Sequence, residues 1–336
     1  MNTPLTDQER QQGKRITHIE IEELFEDNRE RLRLELVAGS EGLKRRIEEK
    51  ELHRPGLALA GFLELFTFDR VQILGNTEIQ YLQGLSGKER AASIAKVMKL
   101  EIPCLIICND NKVPRELKAK ADERGIPLFT SKRTTTDLIH LLSDYLDDRF
   151  APFISVHGSL VDVYGTGMLF TGRSGIGKSE IALDLVERGH RLVADDIVQI
   201  DKKAEGILIG TSPEMIRHML EVRGVGIIDV RRMFGVRGIR MQKRVEVEVR
   251  LEEWDDNIEW ERIGLDYESI RLLGVDIPLL RLPIFPGKNI TMIAEVIALQ
   301  IHLRVYGVNP AEEMNRRIRE EADRRKLQNY LIRDFE

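Results

Sequence analysis

Cysteine is scarce in this chain, with only Cys104 and Cys108 among 336 residues. So few thiols exclude a disulfide framework, and their neighbourhood lacks the further ligands a zinc site takes. Both fall in Ile102-Pro103-Cys104-Leu105-Ile106-Ile107-Cys108, which reads as a buried strand with residues 104 and 108 on one face. The expectation is two reduced core thiols in a cytoplasmic protein. Long apolar runs are missing too, since none approaches the roughly 20 residues of a membrane-spanning helix. The stretch Met1–Arg15 is polar and lacks the apolar region of a signal peptide. An excess of positive charge is also absent. A formal net charge of −5 sets up no global field toward nucleic acid or an anionic membrane. Internal repeats and low-complexity segments are lacking. What remains is an ordinary globular composition, 42% hydrophobic, with length enough for two domains that each bury a core.

Within that composition, Gly172-Arg173-Ser174-Gly175-Ile176-Gly177-Lys178-Ser179 is a complete phosphate-binding loop. The apolar run Met168–Phe170 before it suits a strand. Glu180–Glu187 after it has helical spacing, with Gly189 at the expected stop. Strand, glycine loop and helix together aim backbone N–H groups and a helix N-terminus at an anion. Lys178 is expected to reach the outer phosphates, and the Ser179 hydroxyl to ligate Mg²⁺. The motif implies a nucleoside triphosphate or another polyphosphate as ligand.

The chain divides into residues 1–148 and 149–336 at the polar junction Asp147–Pro152. In the first part helix-like and strand-like segments alternate. Ile19–Leu24 reads as helix, Arg33–Val37 as strand ending at Gly39, and Val71–Leu74 as strand before the turn at Gly75-Asn76. Pro114 opens a helix through Ala121, Pro127–Phe129 is a strand, and Thr136-Asp137 caps a helix to about Tyr145. This alternation predicts a mostly parallel α/β sheet. The second part reads as short strands: Leu160–Tyr164, Met168–Phe170, Arg191–Val193, Val198–Ile200 and Val245–Leu251. An antiparallel-rich sheet around the phosphate loop is expected there. Asn309-Pro310 starts a last helix, with Met314, Ile318 and Ala322 at helical spacing.

Several residues could carry chemistry. Asp195 and Asp196 end the strand after the phosphate-loop helix, where a carboxylate can hold a metal or accept a proton. His157 precedes Gly158 and the strand beginning at Leu160. The run Leu220-Glu221-Val222-Arg223-Gly224-Val225-Gly226-Ile227-Ile228-Asp229 places Glu221 and Arg223 on one face of an extended segment, a pairing suited to metal and phosphate. Arg262 can meet developing phosphoryl charge. The loop Pro283-Ile284-Phe285-Pro286-Gly287-Lys288 is suited to a second anion site or to an ordinary turn.

Taken in order, these segments resemble the bifunctional HPr kinase/phosphorylase family. The matching run comprises Val156–Gly158, Val161–Gly165, Thr171–Glu180, Arg188–Asp196, the signature Leu220–Asp229, Arg262 in Glu-Arg-x-Gly-Leu, and Pro286-Gly287-Lys288-Asn289. In the first half only Arg54-Pro55-Gly56-Leu57 and the general layout match. The resemblance implies an α/β protein: an N-terminal domain like one in Mur ligases, and a C-terminal phosphate-loop kinase domain similar to phosphoenolpyruvate carboxykinase. It further implies phosphorylation of a serine of HPr by ATP or pyrophosphate, and phosphorolysis of phosphoserine by inorganic phosphate to give pyrophosphate. Asp196 would be the base, His157 its neighbour, Lys178 and Arg262 the charge stabilisers, and Ser179 and Glu221 the Mg²⁺ ligands. Residues 283–288 would serve dephosphorylation. A cytoplasmic homohexamer controlling carbon metabolism, without nucleic acid or membrane partners, completes the implication. Lys288 departs from the Arg usual there, keeping charge but losing bidentate geometry, which would weaken phosphorolysis. A small-molecule kinase and a nucleotide-sensing regulator on the same fold remain as alternatives.

Overall fold

The structure, a computed structural model, describes residues 13–203, 206–255, 268–285 and 287–333. The chain forms two compact units, residues 15–151 and residues 152 onward. Lys14 belongs with the second unit, where it exchanges backbone hydrogen bonds with Phe153.

In the first unit β1 (Ile19–Glu20) leads directly into the helix Ile21–Leu32. The expected helix therefore starts two residues late, because Ile19 and Glu20 pair with β3 (Arg46–Ile47). Ile21, Leu24, Asn28 and Leu32 give the helix one buried face, and Arg33 ends it in the left-handed region. A five-stranded sheet carries the unit. Its order is β2 (Leu34–Ala38), β7 (Leu128–Ser131), β6 (Leu105–Ile107), β5 (Val71–Leu74) and β4 (Leu52–His53). All pairs are parallel except β2 with β7, as the alternation of segments predicts. Strand β6 is shorter than the expected 102–108. Cys104, Ile106 and Cys108 nonetheless join one core cluster, while Leu105 and Ile107 join the other. Both thiols are therefore buried on one face. The helix expected from Thr136-Asp137 begins earlier, at Thr135, because the Thr134 hydroxyl accepts the Asp137 N–H.

The second unit packs two sheets against each other and helices against one of them. Strands β8 (Phe153–His157), β12 (Ile197–Lys203), β13 (Ile207–Thr211) and β16 (Gln242–Arg244) form an antiparallel sheet. The central sheet has the order β11 (Arg191–Ala194), β9 (Ser159–Val163), β10 (Thr166–Gly172), β17 (Val247–Glu253), β19 (Val275–Ile284) and β18 (Glu268–Leu272). The central sheet is antiparallel-rich as expected, with three antiparallel pairs and two parallel ones. Strand β10 is antiparallel to β9, but β10, β17 and β19 are mutually parallel. Alternation explains the layering. Val161, Val163, Met168, Phe170, Val247, Val249 and Leu251 face the helices Lys178–Glu187 and Ile290–Val305. Leu160 and Leu169 point the other way, into the four-stranded sheet. A separate hairpin, β14 (Met219–Val222) and β15 (Gly226–Asp229), packs Leu220, Val222 and Ile228 on the helical side. Pro310 opens the last helix, and the Asn309 side chain accepts from Ala311 and Glu312 N–H groups. Among the described residues no single helix is long and apolar enough to cross a membrane.

Candidate active site

The site starts from a topological fact. Parallel β10, β17 and β19 end at one edge of the central sheet, in register Gly172, Leu251 and Leu282. The phosphate loop leaves β10 there. The segment carrying Arg262 leaves β17, and residues 285–289 leave β19. Ligands of open α/β sheets bind beyond the carboxyl ends of strands, which is where the phosphate loop lies. Arg262 and Pro286 lie outside the described residues.

Gly172, Gly175 and Gly177 take positive φ values of 141°, 78° and 103°. At Gly175 an added Cβ would also displace the Arg223 guanidinium, a flexible side-chain end, so it is the positive φ that calls for glycine there. Gly177 caps the helix Lys178–Glu187, and Gly189 follows that helix in the left-handed region as expected. Arg173 is ion-paired to Glu253 at the end of β17. Lys178 is 6% exposed and donates to the Gly172 and Arg173 carbonyls at 3.2 and 3.1 Å. Burial lowers its pKa. Asp195, Asp196 and Glu180 oppose that shift, and Arg223 adds to it.

Adjacent aspartates take different environments. Asp195 is 2% exposed. It accepts from Ser159 Oγ at 2.5 Å, from Ser179 Oγ at 2.9 and 3.1 Å, and from the Glu221 N–H at 3.4 Å. Burial raises its pKa, and these hydrogen bonds resist the rise. Asp196, half-exposed, sits at φ 64° in a tight turn closed by Ile197 N–H donating to Asp195 O. Its carboxylate lies 3.1 Å from His157 Nδ1, and its carbonyl 2.9 Å from the same atom. Both partners are acceptors, so Nδ1 carries the proton. Pairing of His157 with Ile197 across β8 and β12 holds the two turns together. Gly158 is required beside them, because a Cβ there would stand 2.5 Å from the Phe170 carbonyl.

One open cleft is lined by His157, Ser174, Gly175, Gly177, Lys178, Ser179, Glu180, Asp195, Asp196, Glu221 and Arg223. Glu221 and Arg223 do meet the cleft together. Arg223 does so from the turn of the hairpin, since β14 ends at Val222. The rest of the signature run divides by face: Leu220 is buried, whereas Val225 and Ile227 are 73% and 75% exposed. Asp229 caps the helix Val230–Phe234 by accepting the Arg232 N–H. Lys288 does not line the cleft. Its ammonium donates to Pro283 O at 2.8 Å and lies over the Phe285 ring, and burial lowers its pKa. The sequence reading passed over Ser159, whose only signal is a hydroxyl opening the apolar row of Val161 and Val163.

The donors near Ser179 are oxygens, which fits Mg²⁺. Ser179, Asp195 and Glu221 could hold it together with phosphates and water. Among the described residues no three His, Cys, Asp or Glu side chains form a metal cluster by themselves.

Comparison with known proteins covers both halves of the chain. Residues 19–146 match the family model described as HPr Serine kinase N terminus, and residues 148–318 match HPr Serine kinase C-terminal domain. An HPr kinase/phosphorylase of Chloroherpeton thalassium is 52% identical over 301 residues, covering 87% of this chain and 88% of that protein. Its counterpart from Prosthecochloris aestuarii is 49% identical over 300 residues, with coverages of 87% and 88%. The solved HPr(Ser) kinase/phosphatase of Coxiella burnetii is 31% identical, with a TM-score of 0.43 over 46% of this chain and 93% of that one. Matches of this extent, running through both units, make the chain a member of the HPr kinase/phosphorylase family.

Proposed function

We propose that this protein phosphorylates a serine of HPr with ATP or pyrophosphate and reverses the modification by phosphorolysis. The observation carrying this reading is the contrast between the aspartates: Asp195 is buried beneath Ser179, while Asp196 stands half-exposed at the cleft beside His157. Only an exposed carboxylate can receive a proton from a hydroxyl on another protein.

In the forward direction the serine oxygen bonds to the γ-phosphorus and the bond to the β-phosphate bridging oxygen breaks. The serine proton passes to Asp196. In reverse, an oxygen of inorganic phosphate attacks the phosphoserine phosphorus, the serine oxygen leaves with a proton from Asp196, and pyrophosphate forms. The His157 N–H orients Asp196. Lys178 and Arg223 meet phosphate charge from the cleft wall, and Arg262 is assigned the same task. Bound Mg²⁺ would neutralise phosphate charge, held by Ser179, Asp195 and Glu221. Residues 283–288 are assigned to phosphorolysis, supported by their exit from the same sheet edge as the phosphate loop.

The same reading takes the protein as a cytoplasmic homohexamer in carbon regulation, with no nucleic-acid or membrane partner. It relates the N-terminal unit to Mur ligases and the C-terminal unit to phosphoenolpyruvate carboxykinase. Its test is to incubate the protein with HPr, Mg²⁺ and ATP, then with phosphoserine-HPr and inorganic phosphate, following protein mass and pyrophosphate release. Phosphate transfer to small metabolites but not to HPr would refute it.

A further inference from the structure

Ser159 opens β9 at the end of a row otherwise made of Val161 and Val163, which pack beneath the helix Lys178–Glu187. Because β9 lies beside β11, the end of that row meets the turn in which Asp195 follows Ala194. Ser159 is fully buried, and its hydroxyl stands 2.5 Å from Asp195 Oδ1. Ser179 Oγ reaches both oxygens, at 3.1 Å from Oδ1 and 2.9 Å from Oδ2, and the Glu221 N–H meets Oδ2.

The geometry points to Ser159 as a positioning residue that orients the Asp195 carboxylate for Mg²⁺ binding with the Ser179 hydroxyl. This rests on the metal-assisted phosphoryl transfer proposed above. A carboxylate rotates in a broad, shallow well about its last torsion, so its direction is set by its hydrogen-bond partners. Ser179 does not set it alone, because its single hydroxyl proton stands almost equally near both carboxylate oxygens, at 2.9 and 3.1 Å. The Glu221 N–H is the longest of the contacts. The Asp196 N–H also donates to this carboxylate from within the turn, and Ser159, buried and outside the cleft lining, is the side-chain donor that holds it from the core. A buried carboxylate deprived of such a donor also loses compensation for its desolvation.

The test uses the full chain, as wild type, Ser159→Ala and Ser159→Cys, with isothermal titration of ATP in excess EDTA and across a Mg²⁺ series. Cysteine keeps the shape of serine but donates weakly. Both variants should raise the Mg²⁺ concentration for half-maximal tightening of ATP binding by about tenfold, from the loss of one hydrogen bond to a charged group. Their affinity for ATP in EDTA should stay within about twofold of wild type. A Cys variant that matches wild type while Ala shifts would show that Ser159 only fills space. Equal loss in EDTA and in Mg²⁺ would show that it supports the loop as a whole. Either result overturns the assignment. A wild type whose ATP binding ignores Mg²⁺ would defeat the metal-assisted reading itself. Normal wild-type dependence with unchanged variants would defeat the role of Ser159 alone.

Discussion

At the scale of single residues, Asp195 and Asp196 share a side chain and differ in everything around it. Asp196→Asn should lower serine phosphorylation on the order of 10²–10⁴-fold, by loss of the proton acceptor, with ATP binding retained. If Asp195→Asn proves the more damaging to turnover while sparing nucleotide binding, the two roles have been exchanged. Lys178→Ala should abolish both directions, since both depend on phosphates seated on one loop; undiminished rates would remove the loop from the mechanism. Lys288 presents a different case. Its ammonium is held by Pro283 O over Phe285, and no phosphate is recruited during phosphorylation by ATP. Lys288→Ala should therefore impair pyrophosphate-forming dephosphorylation more than kinase activity, and Lys288→Arg should preserve or improve it through a bidentate contact. Equal losses in the two assays would reduce the loop to scaffold.

At the scale of elements, the hairpin β14–β15 separates packing from chemistry by alternation. Leu220 points into the core cluster below the phosphate-loop helix, while Glu221 faces the cleft. Leu220→Ala should cost about 2–5 kcal/mol of stability in denaturant titration. Ile227→Ala, at a site 75% exposed, should change it by no more than about 0.5 kcal/mol. Comparable losses from the two would mean that the faces have been misassigned. The helix of the phosphate loop was legible in the sequence because its start and stop are local, a glycine loop before Lys178 and Gly189 after Arg188. The helix Ile290–Val305 was not read as one. It is apolar nearly all round, which blurs its periodicity, and its Asn289 cap falls inside a loop read for another purpose. The shift of the first helix from Ile19 to Ile21 has a similar origin, in pairing with a strand more than twenty residues away that no local signal announces.

At the scale of the whole molecule, each unit has its own core clusters. Residues 15–151 expressed alone should unfold cooperatively by circular dichroism; a broad, non-cooperative transition would contradict this. Burial, followed by Arg70, lowers the pKa of His53, and burial followed by Arg231 and Arg217 lowers that of His218. The unfolded chain therefore takes up protons near pH 6.5 that the folded chain resists. Stability is fully present above about pH 6.5, falls as pH drops through that value, and levels off below the folded pKa values. Melting temperatures measured down to about pH 5 should show the fall, and His53→Gln should flatten it in the 15–151 fragment. A fragment profile unchanged by that substitution would assign the effect elsewhere. Burial likewise pushes the Cys108 thiol up to about 11 and raises Cys104 further.

What the sequence determined by itself is local chemistry. The phosphate loop, the helix caps at Gly177 and Asn309, the alternation that sends the apolar residues of β17 to one side, and the burial of both thiols all depend on residues a few positions apart. The family-level resemblance came from the same runs. Tertiary structure alone decided which aspartate is buried beneath Ser179 and which stands half-exposed, because identical neighbours in sequence diverge only when a positive-φ turn meets β8 and β9. It also decided that β10, β17 and β19 end side by side, through parallel pairing of strands far apart in the chain. The selection of Ser159 as the donor to Asp195 came the same way, from two strands laid side by side by a hydrophobic core whose driving force has no direction of its own.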